Sequence, residues 1–330
     1  MKLKFTGSLL IVCWYIFFNS TALLPQQLSS GQRIAEGYLP GAEETRLYYR
    51  IYGTKSDTIV AIHGGPGAGM NAILPDLKPL AKNHTVIFYD QRGGGRSELP
   101  ADTAKLDARF FIADLEAVRQ HFNLKRMAIV AHSFGSVLLA SYLQKYPDRV
   151  KRMVFLGATG PLRAEAAKLA MRKYAEMDST TMQRLGSILG PLMSGTAADP
   201  VAACQQYETL MDELAAARGE PNNWRGSTCN APSEAIKYYY RYTARIAPES
   251  FGQWDFTQSL KQIKTPLLVI YGGMDPLEIA QQRAWADALP NGKLFLVPNS
   301  SGKGAIADRP DLVFPAIETF LGGDWPEKVE

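Results

Sequence analysis

The sequence predicts an α/β fold, a doubly wound and mostly parallel sheet with an inserted helical cap. Three observations carry that prediction. Short runs of Val, Ile, Leu and Phe recur without polar alternation, the pattern of strands covered by helices on both faces. Helical stretches alternate with those runs, the order that builds a parallel sheet. The alternation then lapses over 161–257, where Ala, Leu, Met and charged residues recur at helical spacing without a strand run. A chain of 330 residues, 46% hydrophobic and 21% charged, is long enough for one large domain with an insertion and too apolar to be mainly disordered.

The first 22 residues read as an export signal. Lys2 and Lys4 give a basic start, 9–18 an apolar stretch, and Ser20 and Ala22 small residues spaced for cleavage after Ala22. The alternative is an uncleaved anchor, although the apolar run is at the short end of the ~20 residues a membrane span needs. Either way the rest of the chain is expected outside the cytoplasm, with membrane contact only if the segment is retained. The formal net charge is +4, and Lys2 and Lys4 leave with the signal, so nothing argues for a nucleic-acid partner.

In the mature chain, strand runs fall at 46–52, 58–62, 85–89, 127–131, 153–156, 267–271 and 294–297, with helices near 107–122, 136–146, 279–288 and 311–320. The core is therefore expected over 23–160 and 258–330. Within the cap, the tyrosines Tyr238, Tyr239, Tyr240 and Tyr242 suit amphipathic helix packing, with pocket lining as the other reading. Cys13 leaves with the signal. Cys204 and Cys229 remain as a pair in an oxidising compartment and are disulfide candidates, with buried free thiols as the alternative.

Chemistry enters at Ile129-Val130-Ala131-His132-Ser133-Phe134-Gly135-Ser136, where an apolar strand runs into a helix through a tight turn. This is the nucleophile-elbow context, whose usual pattern is G-x-S-x-G. Ala131 replaces the first glycine, the mildest such departure. A helix N-terminus behind Ser133 favours negative charge developing there. The loop His63-Gly64-Gly65-Pro66-Gly67 follows the strand run 58–62, and its missing Cβ atoms let backbone N–H groups approach a substrate oxygen. The amides of Gly65 and Phe134 are the expected oxyanion hole.

His63 to Gly67, then Tyr89-Asp90-Gln91-Arg92-Gly93-Gly94-Gly95-Arg96-Ser97 and the elbow, resemble the proline iminopeptidase branch of the α/β-hydrolase superfamily. Gly37-Tyr38 and Leu47 to Gly53 resemble that branch's opening hairpin, so the likeness spans nearly all of the mature chain. It implies a cofactor-free serine hydrolase of α/β-hydrolase fold with a helical cap over its pocket, acting on a small-molecule or short-peptide substrate. It also implies a triad acid after the strand that follows the cap, the position of Asp275 in Gly272-Gly273-Met274-Asp275. Ser133 in the elbow disfavours an aspartate-nucleophile epoxide hydrolase or dehalogenase.

The resemblance further implies a histidine after the next strand, in a Gly-His pair. The sequence there reads Ser300-Ser301-Gly302-Lys303-Gly304, so Lys303 takes the slot, or Gly302 if the loop is one residue longer. The four histidines, His63, His84, His121 and His132, all precede Ser133. His132 is expected to pack beside the sheet, while His63 is a minor candidate as substitute base. An unperturbed lysine, with a pKa of about 10.4, is neutral about once in 2,500 molecules at pH 7. A nearby Asp275 carboxylate would favour its charged form further.

Three readings remain open: a weak or altered serine hydrolase using Lys303 or water, a pseudoenzyme binding a small ligand, and Lys303 as an engineered or erroneous replacement for a histidine in a competent enzyme. Aminopeptidases of this branch hold the substrate amine with cap glutamates. Here Asn222-Asn223-Trp224-Arg225-Gly226 places arginine where the branch often has glutamate, leaving Glu213, Glu220 and Glu234 as candidates. Strict N-terminal proline specificity is not expected, and an ester, amide or lactone is an equal contender. No HExxH or CxxC context suggests a metal.

Overall fold

The computed structural model describes residues 33–330 apart from 221, 222, 274 and 303. The expected export signal, Cys13 and Lys303 lie outside the described residues. The strands are β1 (Arg33–Pro40), β2 (Arg46–Tyr52), β3 (Thr58–Ile62), β4 (Thr85–Tyr89), β5 (Met127–His132), β6 (Val150–Leu156), β7 (Leu267–Tyr271) and β8 (Gly292–Leu296). They form one sheet in the order β1-β2-β4-β3-β5-β6-β7-β8. The hairpin β1–β2 is antiparallel and β2 runs antiparallel to β4, while every pairing from β4 to β8 is parallel.

Four strands coincide with the apolar runs read from the sequence, and the differences have physical causes. β6 starts at Val150 rather than 153, because its polar residues have partners: Lys151 pairs with Asp57 at 2.5 Å and Arg152 donates to the Gly323 carbonyl at 2.9 Å. β8 is displaced toward the N-terminus of its run. β1 is a largely exposed edge strand without an apolar run, so only the hairpin resemblance pointed to it.

The helices are α1 (Ala108–His121), α2 (Gly135–Lys145), α3 (Arg163–Ala175), α4 (Ser179–Ser194), α5 (Pro200–Ala217), α6 (Ser233–Tyr238), α7 (Ala244–Ser250), α8 (Pro276–Ala288) and α9 (Pro310–Gly322), with several shorter turns. One face of the sheet buries Val60, Ile129 and Val269 with Phe111, Leu139 and Trp285; the other buries Val130, Val154 and Ile270 with Leu77, Ile317 and Phe320. This two-sided burial is why the central strands lack polar alternation.

Between β6 and β7 the described chain is helical, from α3 to α7 with a π-helical turn at Tyr239–Thr243. An isolated antiparallel bridge between Leu162 and Asp255 closes this insertion at its base. Leu185, Ile188, Leu192, Leu210 and Ile236 form its own small core with Cys204 and Cys229. Those two sulfurs are bonded at 2.08 Å, tying α5 to the segment before α6. Helix α3 buries none of its residues. Among the described residues no helix is long and apolar enough to cross a membrane.

Candidate active site

Ser133 stands between β5 and α2 with φ of 52°, in the left-handed region that costs an L-residue roughly 1–2 kcal/mol. Its neighbours hold it there. Its N–H donates to the Leu156 carbonyl at 3.1 Å, and its carbonyl accepts from the Thr159 N–H at 3.2 Å and the Ser136 hydroxyl at 2.7 Å. A Cβ on Gly135 would lie 2.9 Å from the Ile62 carbonyl oxygen, so the second glycine of the elbow pattern is sterically required. Ala131, in place of the first, sits fully buried within β5, where its methyl joins the core.

The loop after β3 packs directly on this turn. A Cβ on Gly64 would come within 2.8 Å of the Ser133 Cβ and 3.3 Å of its Oγ. His63 is fully buried, and burial pushes its pKa down to about 4, so the ring is neutral near pH 7. Its Nε2 accepts from the Gln91 N–H at 3.0 Å, which places the proton on Nδ1, 2.8 Å from the Gly64 carbonyl oxygen. A trans peptide directs its N–H opposite its C=O, so this grip turns the Gly65 N–H away from His63. Among the described residues the N–H groups of Gly65 and Phe134 donate to no other acceptor. With both ring nitrogens engaged, His63 is unavailable as a substitute base.

Residues 90–97 brace the same loop from behind. The Gln91 amide donates to the His63 carbonyl at 2.8 Å, and its Oε1 accepts from the Gly67 N–H at 3.3 Å. Asp90 accepts from the N–H groups of Met70 and Arg96 at 2.6 and 2.7 Å. Burial nonetheless pushes its pKa up to about 6. Arg92 anchors the segment to α1 through a buried two-pronged pair with Asp114 at 2.6 and 2.7 Å. The insertion reaches in as well: the Tyr239 hydroxyl donates to the Gly65 carbonyl at 3.3 Å and the Thr243 hydroxyl to the Gly93 carbonyl at 2.8 Å. Tyr238 donates to the Pro100 carbonyl at 2.6 Å and its ring lies 5.1 Å from that of Tyr242, while Tyr240 packs on the disulfide. The tyrosine stretch thus packs the insertion onto the core, with Tyr239 reaching the loop beside Ser133.

The other histidines have separate settings. His132 does not pack beside the sheet; its ring stacks on Trp224 of the insertion at 4.6 Å and 18°, because it leaves the strand just where the insertion lies over the sheet. His84 lies between Asp57 and Glu318 at 3.0 and 2.8 Å, and His121 is edge-on to Phe122.

Asp275 is the N-cap of α8. Its Oδ1 accepts from the N–H groups of Leu277 and Glu278 at 2.8 and 3.3 Å, and its Oδ2 is paired with the Arg172 guanidinium of α3. Burial works to raise its pKa, but Arg172 and the two amides outweigh that and hold it below the usual value. The Gly272 N–H donates to the Gly302 carbonyl at 3.2 Å, bringing the loops after β7 and β8 together. Gly302 packs against the Tyr271 ring. Ser133, Phe134, His63, Gly64, Gly65 and Gly67 are thus brought together, whereas Asp275 is turned to the insertion. Arg172 was not singled out from the sequence, since a lone arginine in an amphipathic helix carries no positional signal.

Arg225 pairs with the buried Asp76 at 3.0 Å, and Asp76 also accepts from the N–H groups of Arg225 and Gly226, so this arginine anchors the insertion to the core. Glu213 pairs with Arg184 at 2.5 Å, Glu234 is exposed, and Glu220 pairs with Arg218 at 3.5 Å on the wall of a cavity of about 410 Å³. Glu208 lies within 4.8 Å of Cys204 and Cys229. The sulfurs are bonded to each other and the carboxylate accepts from Ser227 and Thr228 at 2.6 and 3.0 Å, so the trio is not set up to hold a metal.

A profile of the alpha/beta hydrolase fold matches residues 57–310. A proline iminopeptidase of Saccharolobus solfataricus is 25% identical over 289 residues, covering 83% of this chain and 88% of that one. One from Heyndrickxia coagulans is 40% identical over 97 residues, a match spanning 29% of this chain and 33% of the relative. A 2-hydroxy-6-oxononadienedioate/2-hydroxy-6-oxononatrienedioate hydrolase of Paraburkholderia phymatum is 27% identical over 300 residues, covering 86% and 93%. Among solved structures, the proline iminopeptidase of Mycobacterium smegmatis superposes with a TM-score of 0.63 at 18% identity, covering 87% of this chain and 98% of that one.

Proposed function

The chain belongs to the α/β-hydrolase family, and from that premise we propose that it is an exported serine hydrolase cleaving a small ester, amide or short peptide through Ser133. One observation carries the reading: Ser133 is held at φ of 52° against Gly64, facing a loop whose Gly65 amide, like that of Phe134, is unspent. In the proposed reaction the Ser133 Oγ attacks the substrate carbonyl carbon, its proton passing to Lys303 or to water. The two amides receive the developing oxyanion. The leaving group departs with a proton as the acyl-enzyme forms, and water then cleaves that ester to restore Ser133. The helical insertion would serve as the cap of the pocket.

Export is supported by the N-terminal basic and apolar pattern together with the Cys204–Cys229 bond. The proline iminopeptidases among the relatives favour a proline iminopeptidase-like substrate. Arg225, spent on Asp76, supports a wider range than N-terminal proline alone. A second reading, a pseudoenzyme binding a small ligand, is favoured by one observation: the Asp275 carboxylate is already divided between the α8 amides and Arg172.

The test compares fluorophosphonate labelling of Ser133 and hydrolysis of p-nitrophenyl esters and proline arylamides across wild type, Lys303→Ala and Lys303→His. Wild type is expected to label slowly, Lys303→Ala not at all, and Lys303→His faster. Labelling indifferent to residue 303 refutes the lysine role. If neither wild type nor Lys303→His labels or turns over, the hydrolase reading falls, and a saturable ligand-dependent rise in Tm then identifies the binding protein.

A further inference from the structure

We propose that α3 is an electrostatically latched lid whose closed position silences the site, because Arg172 occupies the Asp275 oxygen that a catalytic base would use. This rests on the reading of Asp275 as the acid of a hydrolase site.

The helix lacks what normally fixes one in place. None of its residues is buried, so it has no packed apolar face holding it to the sheet. Its N-terminal end is pinned by backbone bonds: the Leu162–Asp255 bridge, Arg163 N–H to the Trp254 carbonyl at 3.1 Å, and Phe256 N–H to the Pro161 carbonyl at 3.0 Å. Along its length Gln281 of α8 donates to the Glu165 carbonyl at 2.9 Å. Its C-terminal half is attached to α8 by two ion pairs, Arg172 with Asp275 and Lys173 with Glu278. The arrangement is a hinge at the N-terminal end and a charged clasp along the C-terminal half, beyond which Met177 packs on the insertion's own core.

Space lies under and beside this helix. A cavity of about 220 Å³ reaches from Ala166 and Lys173 down to Thr159 and Tyr271 at the ends of β6 and β7, with Gln282 of α8 beside them. The cavity of about 410 Å³ lies on the other side of Lys173, between Tyr174, Tyr207 and the Ser301–Gly302 loop. Lys173 and Glu278 line both, so their pair separates the two spaces and parting it would join them.

The clasp is also imperfectly satisfied. The buried Nε of Arg172 makes no hydrogen bond among the described residues and has only a long ion pair, 3.7 Å, with Glu176 at its own helix end, so the closed state leaves this donor weakly satisfied. The Arg172 and Lys173 side chains keep 35% and 34% of their exposure, which leaves both pairs open to screening by salt. Opening α3 would join the cavities at the strand ends and free Asp275 Oδ2 in one movement.

The test is amide hydrogen exchange of the full chain, wild type against Arg172→Gln/Lys173→Gln, with fluorophosphonate labelling of Ser133 measured in parallel. Glutamine keeps helix propensity and removes the charge. Amides of α3 are expected to exchange about tenfold faster in the variant, the factor two such partly exposed pairs can carry together, with α1 and α5 unchanged. In wild type the same acceleration should follow when NaCl rises from about 0.1 M to about 1 M, shortening the screening length from roughly 10 Å to roughly 3 Å. In a Lys303→His background, whose imidazole the freed carboxylate can orient, Ser133 labelling should rise severalfold on adding the two glutamines. Unchanged α3 exchange, or equal loosening of α5, overturns the lid. Faster α3 exchange without faster labelling, where Lys303→His does label, overturns the silencing. If Ser133 labels in no variant, the hydrolase reading and the silencing fall together, while exchange still decides the lid.

Discussion

Ser133 at φ of 52° provides a way to separate backbone strain from the loss of a hydroxyl, by replacing it with alanine and with glycine. Both remove Oγ, which makes no hydrogen bond among the described residues, so the two variants differ only in backbone preference and in the single Cβ that alanine keeps beside Gly64. Alanine inherits the left-handed penalty of roughly 1–2 kcal/mol. Glycine escapes it but gains freedom in the unfolded chain, which costs about 0.4–1 kcal/mol. The balance leaves Ser133→Gly more stable than Ser133→Ala by about 0–1.6 kcal/mol, centred on roughly 0.8. For a chain of this size, with an unfolding entropy of roughly 2.1 cal/mol/K per residue, the central value is a Tm difference of about 1 °C. Thermal unfolding followed by circular dichroism reads it directly, and neither variant should take a fluorophosphonate label. A glycine variant melting below the alanine variant would mean that the residue is unstrained, and the elbow argument would fail.

Two further outcomes follow from the loops around the site. Neutral His63 titrates near 4 in the fold against about 6.5 in an unfolded chain, so between those values the unfolded state binds a proton that the folded state refuses. Its contribution is therefore complete above pH ~6.5 and drains by up to about 3 kcal/mol as pH falls to ~4; urea unfolding of His63→Gln, which cannot charge, should show a visibly flatter loss over that window. The Cys204–Cys229 bond closes a separation of 25 residues, worth about 3 kcal/mol in the chain-entropy model, so Cys204→Ala/Cys229→Ala should lose about that much in urea unfolding, and wild type with reductant should match it.

The sheet was legible because β3, β4, β5 and β7 are buried on both faces, and such strands must be apolar throughout. β1 was not, because an edge strand exposed on both sides needs no such run. The elbow was legible because its turn admits few residue types: Gly135 meets the Ile62 carbonyl, and that constraint is written locally. The segment 90–97 stood out as a motif, yet its use did not. That Gln91 holds His63, and that His63 turns the peptide carrying the Gly65 N–H, depends on two loops 28 positions apart meeting behind the sheet.

The sequence by itself determined the class of fold, the place of Ser133 and the absence of any histidine beyond it, because all three rest on local pattern or on composition. Only the tertiary structure decided the partners of Asp275, Arg225 and His132. A carboxylate at a strand end looks the same in sequence whether it faces a histidine or an arginine. The docking of α3 on α8 selects Arg172 from a position 103 residues away, through charge and distance rather than any local signal.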